Sequence, residues 1–326
     1  MKAILVNDET KRLFAGEWDD PRLGADELLV AVKATAVNRA DLLQKRGLYP
    51  NPPGTSPIIG LEMSGVVDQV GEGATGWKTG DRVFSLLPGG GYAEKATIPA
   101  DLAIPIPAEM SFEEAAAIPE VFLTAYLNLF MLGDLQPGQT VLIHAGASGV
   151  GTAAIQLARA IGANIIITAG SAEKVNACLA LGADTGIDYK SEAFEKKVLE
   201  ATNGYGVDLI LDFVGASYFE QNIASLATGG TLIFIGTMGG NKINELNIMQ
   251  LMRKRLKLIG STLRSQTVAQ KIELTKRFVQ FAMPLFENGT LRPIIDSVYD
   301  IQQINEAHER MENNLNTGKL VVRMNF

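Results

Sequence analysis

Residues 138–159 constrain the fold more than any other segment of this chain. Their sequence, GQTVLIHAGASGVGTAAIQLAR, passes from an apolar strand through a glycine-rich turn into an amphipathic helix. Glycines there let the chain turn tightly and approach a pyrophosphate, which the first amides of the helix can bind. The segment therefore predicts a dinucleotide-binding strand–turn–helix unit, although Ser148 stands where the strict fingerprint has its middle glycine.

From Val121 onwards the chain alternates amphipathic helices with short, continuously apolar strands. This texture is typical of parallel strands covered by helices on both faces, so it predicts an α/β, doubly wound parallel sheet. The predicted helices are 121–132, 152–161, 173–181 and 217–226, and the predicted strands are 141–144, 164–168, 207–212 and 231–235. A long helix over 268–287 and a mixed tail ending at 319–323 follow.

Residues 1–119 contain short apolar runs broken by glycine and proline, which indicates a small, mostly antiparallel β domain. The C-terminal tail resembles a return to this domain. We therefore predict a discontinuous β-rich domain over 1–121 and 263–326, with a dinucleotide-binding domain over 122–262. An active site is expected in the cleft between them, where ligand sites commonly lie.

Composition excludes several classes of function. The formal charge of −7 and the pI near 5.1 argue against nucleic acid as a partner, because phosphate backbones require a basic face. The single cysteine, Cys178, and the two histidines, His144 and His308, lack the spacing of metal ligands, so no metal is expected. The N-terminus lacks the apolar core of a signal peptide, and no stretch reaches the apolar length of a membrane span. We expect a soluble, cytoplasmic protein without a membrane partner.

The end of the second predicted strand bears on the choice between NADH and NADPH. NAD-dependent enzymes usually place an acidic residue there to bind the ribose hydroxyls. Here the strand is followed by Gly170 and Ser171, with Lys174 and Tyr189 further along. A hydroxyl, an ammonium and a phenol together suit a 2′-phosphate, so the sequence favours NADPH. The competing interpretation makes Ser171 a helix N-cap and Lys174 a solvated side chain.

Segment 138–159 resembles the signature of the quinone oxidoreductase and ζ-crystallin branch of the medium-chain dehydrogenase/reductase superfamily. Similar segments extend along nearly the whole chain: Asn38–Asp41, Gly47–Tyr49, Gly60–Glu62, Asp81–Val83, Gly90–Glu94 and Asn316–Lys319. Serine at position 148 is similar to the p53-inducible members of that branch. The resemblance implies a GroES-like catalytic domain, a Rossmann domain that binds NADPH, and a homodimer that pairs through the strand-like stretches 231–235 and 256–261.

The resemblance also accounts for the missing zinc ligands. Zinc-dependent relatives carry a G-H-E motif, a cysteine ligand and a four-cysteine lobe for a structural zinc. In this chain Gly60-Leu61-Glu62 has leucine in place of the histidine, and one cysteine cannot supply either site. The resemblance therefore implies a zinc-free member.

The resemblance places Asn38, Tyr49 and Thr124 around the nicotinamide and substrate, as the catalytic residues. Asn38 and Thr124 would hydrogen-bond the carboxamide or ribose of the cofactor, and Tyr49 would stack beside or cap the quinone. The competing interpretations are that Asn38 fixes a turn, Thr124 caps a helix and Tyr49 packs in a proline-rich loop. Together, the turn and the resemblance predict cofactor contacts at Gly146, Ser148, Gly149, Val150, Gly170, Ser171, Lys174, Tyr189, Phe213, Gly236, Met238, Leu263, Arg264, Ser265 and Asn316.

A zinc-free site favours a substrate that needs no strong polarisation. A quinone is already electron-poor, and hydride from C4 of NADPH leaves a hydroquinone anion that water can protonate. The sequence therefore predicts a zinc-independent NADPH:quinone oxidoreductase that holds a flat, small-molecule substrate against the nicotinamide.

Two other functions remain open. Reduction of 2-alkenals or enoyl thioesters leaves an enolate that needs a proton at carbon, for which Tyr49 or Tyr92 is a candidate donor. A non-catalytic NADPH-binding protein, crystallin-like or RNA-binding, is the alternative of another class. The acidic charge and the intact candidate nicotinamide contacts count against it.

Overall fold

The computed structural model describes all 326 residues, and their contacts divide the chain into two compact units. Unit 1 contains residues 1–123 and 264–326, and unit 2 contains residues 124–263. Each unit has its own main sheet and its own hydrophobic core. The functional roles predicted for the two domains stay predictions.

The N-terminal part of unit 1 consists of short strands around one long strand. Its elements are β1 Lys2–Val6, β2 Leu13–Glu17, β3 Glu27–Val37, α1 Arg39–Lys45, β4 Glu62–Val70, β5 Arg82–Leu86, β6 Lys95–Pro99, β7 Ile104–Pro105 and α2 Phe112–Ala116. Strand β3, eleven residues long, pairs antiparallel with β4 and with β6. Most of its side chains are buried, which explains its run of valine, leucine and alanine.

Unit 2 is a doubly wound sheet of six parallel strands. Its elements are α3 Pro119–Tyr126, which begins in unit 1, β8 Thr140–Ile143, α4 Gly149–Ala160, β9 Asn164–Ala169, α5 Ala172–Leu181, β10 Thr185–Asp188, α6 Phe194–Ala201, β11 Val207–Asp212, α7 Phe219–Ser225, β12 Leu226–Phe234, α8 Ile248–Lys254 and β13 Lys257–Gly260. The strand order is β10-β9-β8-β11-β12-β13, and every neighbouring pair is parallel. The order reverses between β8 and β11, and open α/β sheets bind ligands at the carboxyl edge of such a point.

The chain returns to unit 1 through a long helix. Its last elements are α9 Val268–Glu287, β14 Ile295–Asp300, α10 Ile304–Glu312 and β15 Lys319–Arg323. Strand β15 pairs antiparallel with β3 and completes a sheet in the order β14-β15-β3-β4-β5-β7, with β6 also on β3. The predicted fold, a doubly wound parallel sheet plus a mostly-β domain, is confirmed. None of the helices is long and apolar enough to cross a membrane.

Side-chain capping moves the start of one helix from its predicted position. The helix predicted over 152–161 begins at Gly149, because Ser148 is its N-cap. The Ser148 hydroxyl accepts a hydrogen bond from the amide of Gly151 at 3.0 Å. This bond satisfies one of the amides that a helix start leaves without a partner.

Other differences between the predicted and the observed helices arise where the hydrophobic periodicity of the sequence carries little information. The helix predicted over 121–132 starts at Pro119, and from Leu127 to Leu132 it continues as a π-helix, which has a different period. Helices α6 and α8 were not predicted. Helix α6 has eight residues and buries only Phe194 and Val198, one turn apart, and α8 has seven residues and buries none of its side chains, so each gives too short a pattern to identify a helix.

Candidate active site

The turn after β8 requires glycine at two positions. At Gly146, an added Cβ would lie 2.8 Å from Cβ of Ile167 and 3.2 Å from Sγ of the buried Cys178. At Gly151, it would lie 2.5 Å from the carbonyl oxygens of both Ala145 and Gly146. The turn and the helix behind it therefore pack closely against the sheet, as a dinucleotide-binding unit requires.

The first amides of α4 form the predicted phosphate-binding group. Ser148 accepts from Gly151, whereas the amides of Gly149 and Val150 have no acceptor within the protein. Both residues are partly exposed at the start of a twelve-residue helix. Unpaired amides at the positive end of a helix suit a pyrophosphate, so these residues fit a dinucleotide.

The groups predicted to bind a 2′-phosphate follow two neighbouring strands, β9 and β10. Ser171 is the N-cap of α5 and accepts a hydrogen bond from the amide of Lys174 at 3.4 Å. Tyr189 is 43% exposed and leans over Gly170, where an added Cβ would lie 2.9 Å from its Oη. Glycine at position 170 thus allows the phenol to approach the end of β9.

A buried network of hydrogen bonds fixes the turn that follows strand β11. His144 contacts Thr168 through Nδ1 at 2.9 Å and Asn222 through Nε2 at 2.7 Å. Burial lowers the pKa of His144 to about 4, so it is neutral and packed within this network. Asn222 donates to the carboxylate of Asp212, which also accepts from the amides of Val214 and Gly215. These bonds hold the backbone beside Phe213.

The other predicted contacts of unit 2 differ in exposure. Met238 is 55% exposed, Gly236 packs against the carbonyl of Phe213, and Leu263 is buried. Thr124 is also buried and lies five residues into α3, so the interpretation that it caps the helix is wrong. Its carbonyl accepts a hydrogen bond from Nδ2 of Asn128 at 2.7 Å.

In unit 1, Asn38 lies in a buried ionic cluster that sequence reasoning missed. Its Nδ2 donates to Glu62 Oε1 at 2.8 Å, and its Oδ1 accepts from Lys319 Nζ at 2.7 Å. Lys319 also pairs with Glu62 at 2.6 Å and donates to the carbonyl of Val37 at 3.1 Å, and both charged side chains are almost fully buried. Its three donors therefore have three acceptors. In the sequence, each of two segments that carry the family resemblance, Gly60–Glu62 and Asn316–Lys319, ends in a charged residue. Those two charges were the available sign of this cluster.

Arg264 and Asn316, both predicted as cofactor contacts, form hydrogen bonds with other residues of unit 1. The Arg264 guanidinium donates to Pro88, Gln44 and Asn51, and its carbon lies 5.1 Å from the ring centroid of Tyr49. Its Nη1 is buried without a partner. Arg264 therefore fixes the loop that carries Tyr49.

The other two predicted contacts of this region differ in exposure. Asn316 is buried and donates to the carbonyl of Gly318. Ser265 is exposed.

Tyr92 cannot serve as the proton donor considered for alkenal reduction. It is fully buried, and its Oη donates to Asp41 at 3.0 Å and lies 3.1 Å from Nε2 of His308. Burial raises the pKa of Asp41 to about 7 and lowers that of His308 to about 3. The Tyr92 hydroxyl thus belongs to the core, and Tyr49, which is partly exposed, remains the candidate tyrosine.

No three His, Cys, Asp or Glu side chains converge as a metal site. Leu61, in the place of the histidine of the G-H-E motif, is buried at 1% exposure between Gly60 and Glu62. Glu62 itself is paired with Lys319.

Two protein families match separate parts of this chain. Residues 24–108 match the alcohol dehydrogenase GroES-like domain, and residues 149–277 match the zinc-binding dehydrogenase family. The chain is 32% identical over 324 residues to the quinone oxidoreductase-like protein 2 homolog of Nematostella vectensis, covering 98% of this chain and 88% of that protein. It is 32% identical over 301 residues to human quinone oxidoreductase, covering 91% and 88%. The solved structure of Escherichia coli quinone oxidoreductase complexed with NADPH matches with a TM-score of 0.89 at 30% identity, covering 99% of this chain and 100% of that one.

Proposed function

Because this chain belongs to the medium-chain dehydrogenase/reductase superfamily, with quinone oxidoreductases among its relatives, we propose that it reduces small quinones with NADPH and without zinc. It is an NAD(P)-binding oxidoreductase with a small-molecule substrate. The quinone, the preference for NADPH and membership of the p53-inducible group belong to the proposal.

The observation that carries the quinone assignment is the internal pairing of the charged groups beside Asn38. Lys319 and Glu62 satisfy each other and Asn38, and no three His, Cys, Asp or Glu side chains converge to hold a Lewis acid. A carbonyl that needs strong polarisation finds no electrophile among these residues. A quinone accepts hydride without one, so it is the substrate class that this side-chain arrangement supports.

The preference for NADPH is supported by the ends of β9 and β10. Ala169 is followed directly by Gly170 and Ser171, not by an acidic side chain, and Lys174 and Tyr189 lie further along, with Glu173 beside Lys174 as a nearby acid that counts against this preference. An ammonium and two hydroxyls attract a 2′-phosphate, whereas an acid at this place would repel it.

The proposed roles divide between the units. Gly149 and Val150 bind the pyrophosphate through their amides, Asn38 and Thr124 orient the nicotinamide, and Tyr49 lies against the quinone. When bound, the cofactor supplies hydride from C4 of its nicotinamide. The protein contributes orientation and exclusion of water around the acceptor.

The direct test is oxidation of NADPH by metal-free protein with 1,2-naphthoquinone or 1,4-benzoquinone as acceptor, and with NADH as the control cofactor. Quinone-dependent turnover that resists EDTA and is faster with NADPH supports the proposal. Turnover that needs added zinc, or an absence of turnover with every quinone, would refute it.

Lys174→Ala tests the cofactor preference. Loss of an ammonium next to a phosphate removes a charge-assisted interaction of about 1.5–3 kcal/mol, so the KM for NADPH should rise roughly 10-fold to 100-fold. The KM for NADH should stay within about 2-fold, since NADH has no 2′-phosphate. Equal effects on both cofactors would contradict the assignment of Lys174. Lys190→Ala, which removes an exposed lysine near the same sheet edge, is the control.

We also propose a homodimer, for which the exposed face of α8 and β13 provides the support. Ile248, Met249 and Met252 on α8 are 63%, 54% and 65% exposed, and Leu258 on β13 is 36% exposed. Strand β13 lies at the edge of its sheet, so its outer backbone groups are unpaired. The stretch 231–235 does not form an edge, because β12 lies between β11 and β13.

A further inference from the structure

Tyr218 is an aromatic residue of unit 2 to which the proposed cofactor site gives no role. It lies directly before α7, and its ring centroid is 6.2 Å from the ring centroid of Tyr189, with an angle of 70° between the two ring planes. This is an edge-to-face contact within the range of distances that aromatic pairs favour. A side chain of the proposed 2′-phosphate site therefore rests on a residue that was not assigned to it.

The ring of Tyr218 is itself fixed from the side of the protein core. Its centroid lies 4.9 Å from the ring centroid of His144 and 4.9 Å from that of the buried Phe194. The imidazole of His144 is held in one orientation, because its two nitrogens contact Thr168 and Asn222 at 2.9 Å and 2.7 Å. Tyr218 thus connects a rigid, buried network to the exposed phenol.

The backbone of Tyr189 fixes the position of the residue but not the direction of its ring. Its amide donates to the carbonyl of Ala169 at 3.2 Å, which places the residue beside the end of β9. The side chain is 43% exposed and borders a groove of about 350 Å³, which Tyr218 and Phe194 also line. Without the ring of Tyr218, the phenol would be free to turn into this groove and away from Gly170.

We propose that Tyr218 is a positioning residue, which holds the phenol of Tyr189 at the end of β9 and thereby increases the selectivity for the 2′-phosphate of NADPH. This inference rests on the proposed function, in which Tyr189 binds that phosphate. Tyr218 acts through the ring of Tyr189 rather than by touching the cofactor. NADH has no 2′-phosphate, so its binding does not depend on where the phenol lies.

The kinetic experiment measures KM and kcat for NADPH and for NADH, with 1,4-benzoquinone as acceptor. Tyr218→Leu should raise the KM for NADPH about 3-fold to 10-fold, the equivalent of one aromatic pair. The KM for NADH and both kcat values should stay within about 2-fold, since neither depends on the 2′-phosphate. Tyr218→Phe keeps the ring and should match the unaltered protein. Tyr205→Leu, at a 67% exposed tyrosine of the same unit, is the control.

A double-mutant cycle separates positioning from a purely structural role. In a Tyr189→Leu background there is no phenol to position, so Tyr218→Leu should change the KM for NADPH by less than about 2-fold. A purely structural role would cause the same loss in both backgrounds. Urea denaturation of the four proteins measures how far each substitution lowers the free energy of unfolding.

A second readout needs no turnover. Calorimetric titration with 2′,5′-ADP, and with 5′-AMP as the probe that lacks the 2′-phosphate, should show the same pattern. Tyr218→Leu should weaken the binding of 2′,5′-ADP and leave that of 5′-AMP within about 2-fold. Tyr218→Met keeps most of the apolar volume without the ring and provides the test if Tyr218→Leu does not fold.

The possible failures are distinguishable. If the unaltered protein binds 2′,5′-ADP no more tightly than 5′-AMP, the proposed preference for NADPH fails and the inference fails with it. If that preference is present but Tyr218→Leu weakens both probes equally, or keeps its full effect in the Tyr189→Leu background, the inference is overturned and the proposed function stands. A loss in Tyr218→Phe as large as that in Tyr218→Leu would also overturn it, because the hydroxyl would then bind the cofactor directly.

Discussion

The pKa of Asp41 illustrates how the surroundings in unit 1 change the ionisation of a single side chain. Its Oδ2 accepts from the amide of Asn38 at 2.7 Å and from Tyr92, while its Oδ1 is buried without a partner. A carboxylate in this position lacks part of its hydration, and burial raises its pKa from 3.8 to about 7. The N-cap of α1 and the core hydroxyl of Tyr92 therefore both depend on a carboxyl that is uncharged at mildly acidic pH.

Replacing Asp41 by asparagine should change the pH dependence of stability. Between pH 3.8 and about 7 the folded protein holds a proton on Asp41 that the unfolded chain has released. Its contribution to the free energy of unfolding therefore falls as pH rises through this window, by up to about 1.4 kcal/mol per pH unit. Asp41→Asn keeps an acceptor oxygen and removes this slope. Urea denaturation of both proteins at pH 5 and pH 8 measures it, and an unchanged stability difference would contradict the assignment.

Helices and strands were predicted correctly from the sequence where a single interaction determines their position. Helix α9 occupies Val268–Glu287 as predicted, because a capping threonine, Thr267, precedes a long amphipathic pattern. Strand β11 was also predicted at its full length, since both faces of it are buried. The π-helical geometry of Leu127–Leu132, within the helix predicted over 121–132, and the short helix α8 were not predicted, since a π-helix departs from the 3.6-residue period and α8 buries no side chain. Their positions depend on tertiary contacts that periodicity does not contain.

Two matched helix caps separate structural from cofactor-binding roles. Ser148 caps α4, and Thr267 caps α9, where its Oγ1 accepts from the amide of Gln270 at 3.2 Å. Either alanine variant should lower the free energy of unfolding by about 1 kcal/mol, because each loses a cap. Only Ser148→Ala should also weaken NADPH binding, since its cap orients the amides of Gly149 and Val150.

Urea denaturation and calorimetric titration with NADPH measure both quantities. A loss of NADPH affinity in Thr267→Ala as large as that in Ser148→Ala would show that stability alone explains the effect.

At the scale of the whole molecule, the sequence predicted what is local and missed what distant segments build. The glycine turn and the alternation of helices and strands lie within contiguous stretches, and both were predicted from them. The cluster of Asn38, Glu62 and Lys319 combines segments more than 200 residues apart in the chain, since residue 38 contacts residue 319 across 281 positions. One sequence offers no periodicity that links such positions, and the charges became informative only when the fold brought them together.

Association of two chains into a dimer would involve a large surface of the molecule. Burying α8 and pairing the edge of β13 with a second copy would remove apolar side chains and open backbone groups from water at once. Leu258→Lys puts a charge on that edge and should convert the dimer to a monomer in sedimentation velocity. Tyr205→Lys, at a 67% exposed aromatic residue of the same unit, should leave the dimer intact. A Leu258→Lys protein that still sediments as a dimer would place the interface elsewhere, because a desolvated ammonium on β13 cannot be accommodated in an apolar contact.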